Sequence, residues 1–144
     1  MQKLNQSYIK SVVRKALEED LKPRGDITTK LIANKDKIVK ARIVAKQDGI
    51  ITGLDFCKTA FKLIGRETVF YSKAFDGKKI KKNKVVAVIK AKTKTILTAE
   101  RTALNFLNHA SGIATLTNQY VKKVSNKTKI CCTRKTTPNL RTLE

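Results

Sequence analysis

The stretch at residues 99–124, AERTALNFLNHASGIATLTNQYVKKV, indicates the architecture more than any other part of this chain. Apolar and small side chains such as Leu104 surround most of its circumference in the first half, which predicts a helix buried on several sides. Thr98 is predicted to cap this helix, and Glu100 lies in the predicted first turn, where the helix dipole favours an anion. Gly112 is a candidate break within the helix.

The residues before this helix follow helical and strand patterns in turn. Apolar residues recur at helical spacing or alternate with polar ones, and Gly, Pro and Asp-Gly pairs separate the segments. The patterns predict helices at residues 7–20 and 54–64 and strands at residues 37–46, 50–52, 69–71 and 84–92. Asp48-Gly49 predicts a hairpin between the first two strands, Gly65 is predicted to end the second helix, and Asp26 is predicted to cap a short helical turn.

The residues after the long helix predict a short strand and then a basic turn. Ile130–Cys132 is followed by TRKTTPNLR, which sets Arg134 and Lys135 among hydroxyl side chains and ahead of Pro138. A turn of this kind at the end of a strand is where an α/β protein binds an anionic ligand. The alternative interpretation is a solvated, disordered tail.

That last predicted strand has no later partner in the sequence. A strand of a parallel sheet needs neighbours joined by crossover connections, and the chain stops at Glu144. We therefore expect the chain to be the N-terminal portion of a larger α/β protein.

Length and cysteine usage narrow the class of protein. A chain of 144 residues can bury a core, and it has no apolar run approaching the ~20 residues that span a bilayer. No secretory signal is visible at the N-terminus. Cys57, Cys131 and Cys132 show no metal-binding spacing, so free thiols in a reducing cytoplasm are the simplest interpretation.

The net charge of +21 is compatible with two interpretations: a protein that binds nucleic acid, or a lysine-rich surface exposed to solvent. The surface interpretation is favoured because 25 of the 32 cations are Lys, dispersed along the chain, and only 7 are Arg. Aromatic residues make up 6% and are not interleaved with the cations, so base-stacking platforms are not evident. The arginines carry more information, since a planar guanidinium binds carboxylate or phosphate through two bonds and lysine does not.

Three segments, taken in order, resemble the quinolinate phosphoribosyltransferase family. They are EDL with GDITT at residues 19–29, AERTALN with SGIAT at residues 99–115, and TRKTTP at residues 133–138. The resemblance covers nearly the whole chain and implies an α+β fold. In this fold residues 1–112 form an N-terminal open-faced α/β sandwich domain, and residues 113–144 hold the first strand of a truncated α/β barrel domain.

The resemblance also implies a reaction and its partners. Quinolinate and phosphoribosyl pyrophosphate give nicotinate mononucleotide, pyrophosphate and CO2 in de novo NAD biosynthesis, with Mg2+ accompanying the phosphoribosyl pyrophosphate. The family works as homodimers or higher homo-oligomers in which the N-terminal domain of one subunit covers the barrel site of its neighbour. Since a barrel needs on the order of 200 residues, the chain alone is expected to be inactive.

By motif match, the resemblance assigns substrate binding to Arg101, Arg134 and Lys135, with Thr133 and Thr136 as neighbouring donors. Lys46 is a further candidate, acting across the dimer, although an ordinary surface lysine is the simpler interpretation. Quinolinate is a flat dianion, and fixed cations of this kind suit its two carboxylates. No catalytic residue is assigned.

His109 has a simpler structural interpretation, and Asn139 departs from the family pattern. His109 is predicted to be a hydrogen-bonded structural histidine rather than a catalyst. Asn139 stands where the family usually has Gly, and Asn tolerates the left-handed backbone that Gly would supply.

Other function classes stay open from the sequence. A molybdenum-transport-associated relative of the same fold, or a nicotinate-using phosphoribosyltransferase, would share most of these features. A basic nucleic-acid-binding module and a lipoyl-like carrier domain are alternatives from different classes. The carrier is disfavoured because no lysine lies at a tight central hairpin tip with the expected flanks.

Overall fold

The computed structural model describes residues 4–33, 36–124 and 128–144. Its elements confirm the predicted mixture of helices and strands, with boundaries shifted by a few residues. The helices are α1 (Gln6–Leu21), α2 (Ile27–Ile32), α3 (Leu54–Ile64) and α4 (Thr93–Val124). The strands are β1 (Ile38–Val44), β2 (Gly49–Ile50), β3 (Val69–Ser72), β4 (Lys79–Ile80) and β5 (Val85–Lys92).

The strands form two antiparallel sheets, one with the order β1-β5-β3 and a small one made of β2 and β4. The hairpin predicted at Asp48-Gly49 is therefore wrong. Asp48 accepts hydrogen bonds from the Lys82 backbone N–H (2.9 Å) and from Lys81 Nζ (2.8 Å), so residues distant in sequence determine the path of this turn. The Ile50 N–H donates to Thr115 Oγ1 at 2.9 Å, which places β2 against α4.

Helices cover one face of the larger sheet. Ala87, Ile89 and Ala91 of β5 are buried on that face, and Phe70 of β3 lies 6.2 Å from Phe61 of α3 between ring centroids. The opposite face carries exposed Lys, Arg and Tyr side chains. This alternation of apolar and polar residues is what gives a strand one buried face and one solvated face.

The core lies where α1, α3 and α4 pack together. Ile9 and Val13 of α1 recur four residues apart and are fully buried, as the amphipathic pattern predicts. Phe56 of α3 is 1% exposed and lies 5.2 Å from Phe106 of α4, ring centroid to ring centroid. Gly53, at φ 93°, begins α3 and allows it to approach Phe106 closely.

The long helix α4 begins six residues earlier than the predicted start at Ala99, and the predicted cap at Thr98 is wrong. Both the N–H and the hydroxyl of Thr93 donate to the Lys37 carbonyl, and the Lys94 N–H donates to Asp36 at 3.1 Å. Residues that are distant in sequence therefore accept the hydrogen bonds of the first two N–H groups of the helix. Gly112 does not break the helix, which continues to Val124.

The strand predicted at Ile130–Cys132 is also wrong. Residues 128–144 contain turns and irregular backbone and pair with no strand. A strand forms only where a neighbouring strand satisfies its backbone groups, and no other described strand lies beside this segment. Asn139 has φ 66°, so its predicted left-handed backbone is confirmed.

Candidate functional site

The tail, defined as residues 128–144, lies against α1 and α4 through a small set of contacts. Tyr8 Oη donates to the Asn139 carbonyl at 3.0 Å, and Leu140 and Leu143 pack on the edge of the core. His109 Nε2 and Glu144 Oε1 are 2.7 Å apart. These contacts bring the third motif segment to the surface of α4.

One carboxylate holds this arrangement together. Glu144 accepts a hydrogen bond from the Thr137 backbone N–H at 3.0 Å and is 9% exposed at its side chain. Hydrogen bonds from the Thr137 side chain, and then from His109, lower the pKa of Glu144 to about 2. His109 therefore does have a hydrogen-bonded structural role, as predicted, although it lies at an exposed position of α4 rather than a buried one.

The predicted cations of the tail point outward from a tight turn. Arg134 has φ 64°, and its N–H donates to Cys132 Sγ at 3.2 Å. The Arg141 guanidinium donates to the Arg134 carbonyl and to Thr136 Oγ1, each at 3.5 Å. Thr133, Arg134 and Lys135 are exposed. Within residues 4–33, 36–124 and 128–144, no carboxylate pairs with Arg134 or Lys135, so both cations are available to an anionic ligand.

Arg101 lies about two turns inside α4, because the helix begins at Thr93 rather than at the predicted Ala99. Its Nη1 donates to Asp20 Oδ1 at 2.9 Å, and its side chain is 75% exposed. The nearby Asp26 caps α2 by accepting from the Thr29 N–H at 2.8 Å, which confirms its predicted role. Asp26 also accepts from Thr98 Oγ1 at 3.0 Å.

A cavity of about 760 Å³ lies between α1, α4 and the tail. Each of the three motif segments contributes to its wall, through Asp20, Thr102 and Thr137 respectively. Glu19, Asn105 and His109 add further polar groups, and Phe106 and Leu140 supply apolar surface. The three segments, separated along the chain, therefore meet at one place in the structure.

The structure places none of the predicted site residues in the lining of this cavity, although Thr102 and Thr137 belong to the same motif segments as Arg101, Arg134 and Lys135. Lys46 is exposed in the connection between β1 and β2, and no contact among the described residues joins it to Arg101 or to the tail. Arg101 reaches the cavity wall only through Asp20. The sequence interpretation missed Asp20, Thr137 and Glu144, although an acidic end on α1, opposed to the helix dipole, was a signal for Asp20.

The described residues offer neither a cluster of potential metal ligands nor a helix that could cross a membrane. The part of the chain that the structure describes contains no group of three or more His, Cys, Asp and Glu side chains that could hold a metal ion. No helix in that part is both long and apolar enough to cross a membrane. The three cysteines are free thiols, and burial raises the pKa of Cys57 to about 12.

Known proteins resemble this chain over nearly its whole length. Residues 26–111 match the family described as quinolinate phosphoribosyl transferase, N-terminal domain, and residues 113–144 match the C-terminal domain of the same family. A probable nicotinate-nucleotide pyrophosphorylase [carboxylating] of Synechocystis is 40% identical over 89% of this chain and 43% of its own length. A relative with the same name from Methanocaldococcus jannaschii is 40% identical over 95% of this chain and 48% of its own length.

Solved structures of the same family also resemble this chain. The nicotinate-nucleotide pyrophosphorylase from Francisella tularensis matches with a TM-score of 0.89 and 34% identity, over 96% of this chain and 49% of that chain. The chain spans about half the length of the curated relatives that it matches. Sequence and structure agree on one family, and the chain belongs to the quinolinate phosphoribosyltransferases.

Proposed function

We propose that this chain supplies the N-terminal part of a quinolinate phosphoribosyltransferase. The reaction joins quinolinate to the phosphoribosyl group of phosphoribosyl pyrophosphate and gives nicotinate mononucleotide, pyrophosphate and CO2. The observation that carries the proposal is that the three motif segments, separated along the chain, meet between α1, α4 and the tail. Family membership supports the same conclusion, since the relatives are named for this activity.

The exposed cations suit a flat dianion. Arg101 and Arg134 each offer a planar guanidinium that can hold a carboxylate through two parallel hydrogen bonds, and Lys135 adds a point charge. Thr133 and Thr136 are neighbouring donors in the same turn. Fixing both carboxylates of quinolinate would orient the ring nitrogen toward the ribosyl carbon. The same cations would oppose the negative charge that builds up as pyrophosphate departs.

This proposal assigns a domain to each part of the chain. Residues 1–112 would form the open-faced sandwich domain, and residues 113–144 would begin the barrel domain. The chain of 144 residues would bind quinolinate weakly and form no nicotinate mononucleotide by itself, because it spans about half of its relatives. A homodimer or higher homo-oligomer would bring Lys46 to a neighbouring site.

The Mg2+ that accompanies phosphoribosyl pyrophosphate would find no ready protein site among the described residues. No group of three or more potential ligands lies together there, so these residues do not fit a resident metal. The free thiols are compatible with a reducing cytoplasm, where we place the enzyme.

The test is an NMR titration of the 15N-labelled chain with quinolinate and, as the control ligand, with the monocarboxylate nicotinate. We expect quinolinate to shift the Arg101 Nε–H signal and the Arg134 and Lys135 amides at lower concentration than nicotinate does. Arg134→Asn combined with Lys135→Ala should weaken the response, and Asn tolerates the positive φ of that position. Lys129→Ala, in the same tail, is the matched control. Equal responses to both ligands, or no effect of the double variant, would overturn the proposal.

A further inference from the structure

The first motif segment lies against the part of α4 that carries Arg101. Asp20, in the last turn of α1, accepts a hydrogen bond from Arg101 Nη1 at 2.9 Å. Asp26, which caps α2, accepts one from Thr98 Oγ1 at 3.0 Å. Thr98 and Arg101 are three residues apart and therefore lie on the same side of α4. Two carboxylates of the first motif segment thus contact one turn of the helix.

The carboxylate is the fixed half of the Asp20–Arg101 pair. The Asp20 side chain is 21% exposed, whereas the Arg101 side chain is 75% exposed. Asp26 is held on its own side by the N–H and the hydroxyl of Thr29. These bonds from Thr29, then the bond from Thr98 and the charge of Arg101, lower the pKa of Asp26. Asp20 is therefore the more buried half of its pair, Asp26 is held independently by Thr29, and the more exposed arginine is oriented by them.

Most of the Arg101 guanidinium stays available. Only Nη1 donates to a residue that the structure describes, which leaves the edge formed by Nε and Nη2 without a protein partner in residues 4–33, 36–124 and 128–144. A carboxylate can bind such an edge through two parallel hydrogen bonds. An exposed arginine otherwise samples many rotamers, and holding it in one before the ligand arrives lowers the entropy lost on binding.

We propose that Asp20 is a positioning residue that holds Arg101 through Nη1 and presents its Nε–Nη2 edge to a carboxylate of the substrate dianion. The proposal rests on the proposed function, which assigns quinolinate to Arg101. It gives the acidic end of α1 a purpose, because Asp20 at a helix C-terminus is unfavourable to the helix dipole and is compensated by its partner on α4. Asp26 complements it by fixing the same turn of α4 at Thr98.

The first test needs no ligand. 15N relaxation at Arg101 Nε reports how tightly the guanidinium is held. Asp20→Ala should increase the mobility of Nε, Asp20→Asn should have a smaller effect because its amide oxygen still accepts, and Asp20→Glu should restore part of the order. Glu18→Ala is the matched control, since Glu18 pairs with Lys22 at 3.1 Å on the same helix. If Asp20→Ala leaves the order of Arg101 Nε unchanged, the positioning role is overturned.

The second test is quinolinate titration of the same variants. Asp20→Ala should weaken binding by about threefold, as the strength of exposed ion pairs suggests, and Asp20→Asn should weaken it less. If both variants instead bind quinolinate more tightly, Asp20 competes with the substrate and the proposal is overturned. Failure of the proposed function would show differently, because Arg101→Ala would then leave quinolinate binding unchanged.

Discussion

The helical core of this molecule is packed from buried apolar side chains, whereas the basic tail is exposed and is held mainly by polar contacts. In the core, Phe56, Cys57 and Ala60 are at most 1% exposed, and their neighbours on α1 and α4 are apolar. In the tail, no residue between 128 and 144 is fully buried, and polar contacts from Tyr8, His109 and Glu144 hold it in place. Stability therefore resides mainly in the core, while Arg134 and Lys135 of the tail are exposed and pair with no carboxylate among the described residues.

The largest contrast is expected in thiol reactivity. Burial raises the pKa of Cys57 to about 12, and Cys131 and Cys132 are exposed in the tail. Since the thiolate is the reactive form and an ordinary cysteine has a pKa near 8.5, Cys57 should react roughly 10³-fold more slowly at neutral pH. Mass spectrometry of maleimide-treated protein over time measures the three rates, with urea-unfolded protein as the control. Equal rates for all three thiols in the folded protein would remove the contrast.

Truncation of a core aromatic should destabilise the fold strongly. Phe56 is 1% exposed and touches both Tyr8 and Phe106, so Phe56→Ala should lower the free energy of unfolding by about 3–5 kcal/mol. Phe75 is 67% exposed, and Phe75→Ala should cost only about 0.5 kcal/mol. Urea denaturation followed by circular dichroism compares the two variants. Similar losses for both would mean that the core is not packed as described.

Two glycines should respond with opposite signs. Gly53 has φ 93°, and an added Cβ would lie 3.2 Å from both the Ala110 Cβ and the Phe106 carbonyl oxygen, so Gly53→Ala should cost about 1–2 kcal/mol or more. At Gly112 an added Cβ meets nothing within 4 Å, so Gly112→Ala should stabilise α4 by about 0.5–1 kcal/mol. The midpoints of urea unfolding give both signs. A destabilising Gly112→Ala would indicate that α4 does not continue through this position as an ordinary helix.

The smallest effect is expected at the junction between core and tail, and it depends on pH. The pKa of Glu144 is lowered from 4.5 to about 2, so its contribution to docking is present above pH 4.5 and is lost as the pH falls through about 2. Glu144→Gln should weaken docking above pH 4.5 and should make little difference near pH 2, where the wild-type carboxyl is itself becoming neutral. The Thr137 amide signal, followed by NMR from about pH 6 to about pH 2, measures this change, and the Ala60 amide is the core control. A Thr137 signal that titrates near 4.5 would contradict the lowered pKa.

Local patterns predicted the elements whose causes are local. The buried faces of α1 and α3 follow from apolar spacing, and Asp26 caps α2 as its neighbours suggest. The predictions that are wrong concern places where residues distant in sequence determine the structure. Asp48 is bound by Lys81 and Lys82 instead of forming a hairpin, and Asp36 and Lys37 satisfy the start of α4 from outside it.

The candidate site shows the same difference between features with local causes and features with distant causes. Motif resemblance predicts Arg101, Arg134 and Lys135 as site residues, because their residue types and order are visible in the sequence. The partner of Arg101 was not found, since Asp20 lies 81 residues away along the chain. The strand predicted at Ile130–Cys132 does not form, because a strand depends on neighbours that the local pattern cannot supply.

The central claim is that this chain can act as the N-terminal half of a quinolinate phosphoribosyltransferase. The most direct measurement replaces the matching segment of the Synechocystis relative with residues 1–144 and assays nicotinate mononucleotide formed from quinolinate and phosphoribosyl pyrophosphate. We expect the folded chimera to form the product and Arg134→Asn with Lys135→Ala to reduce its rate at least about 10²-fold, as loss of substrate positioning does elsewhere. A folded chimera without activity, or one indifferent to that double substitution, would contradict the claim.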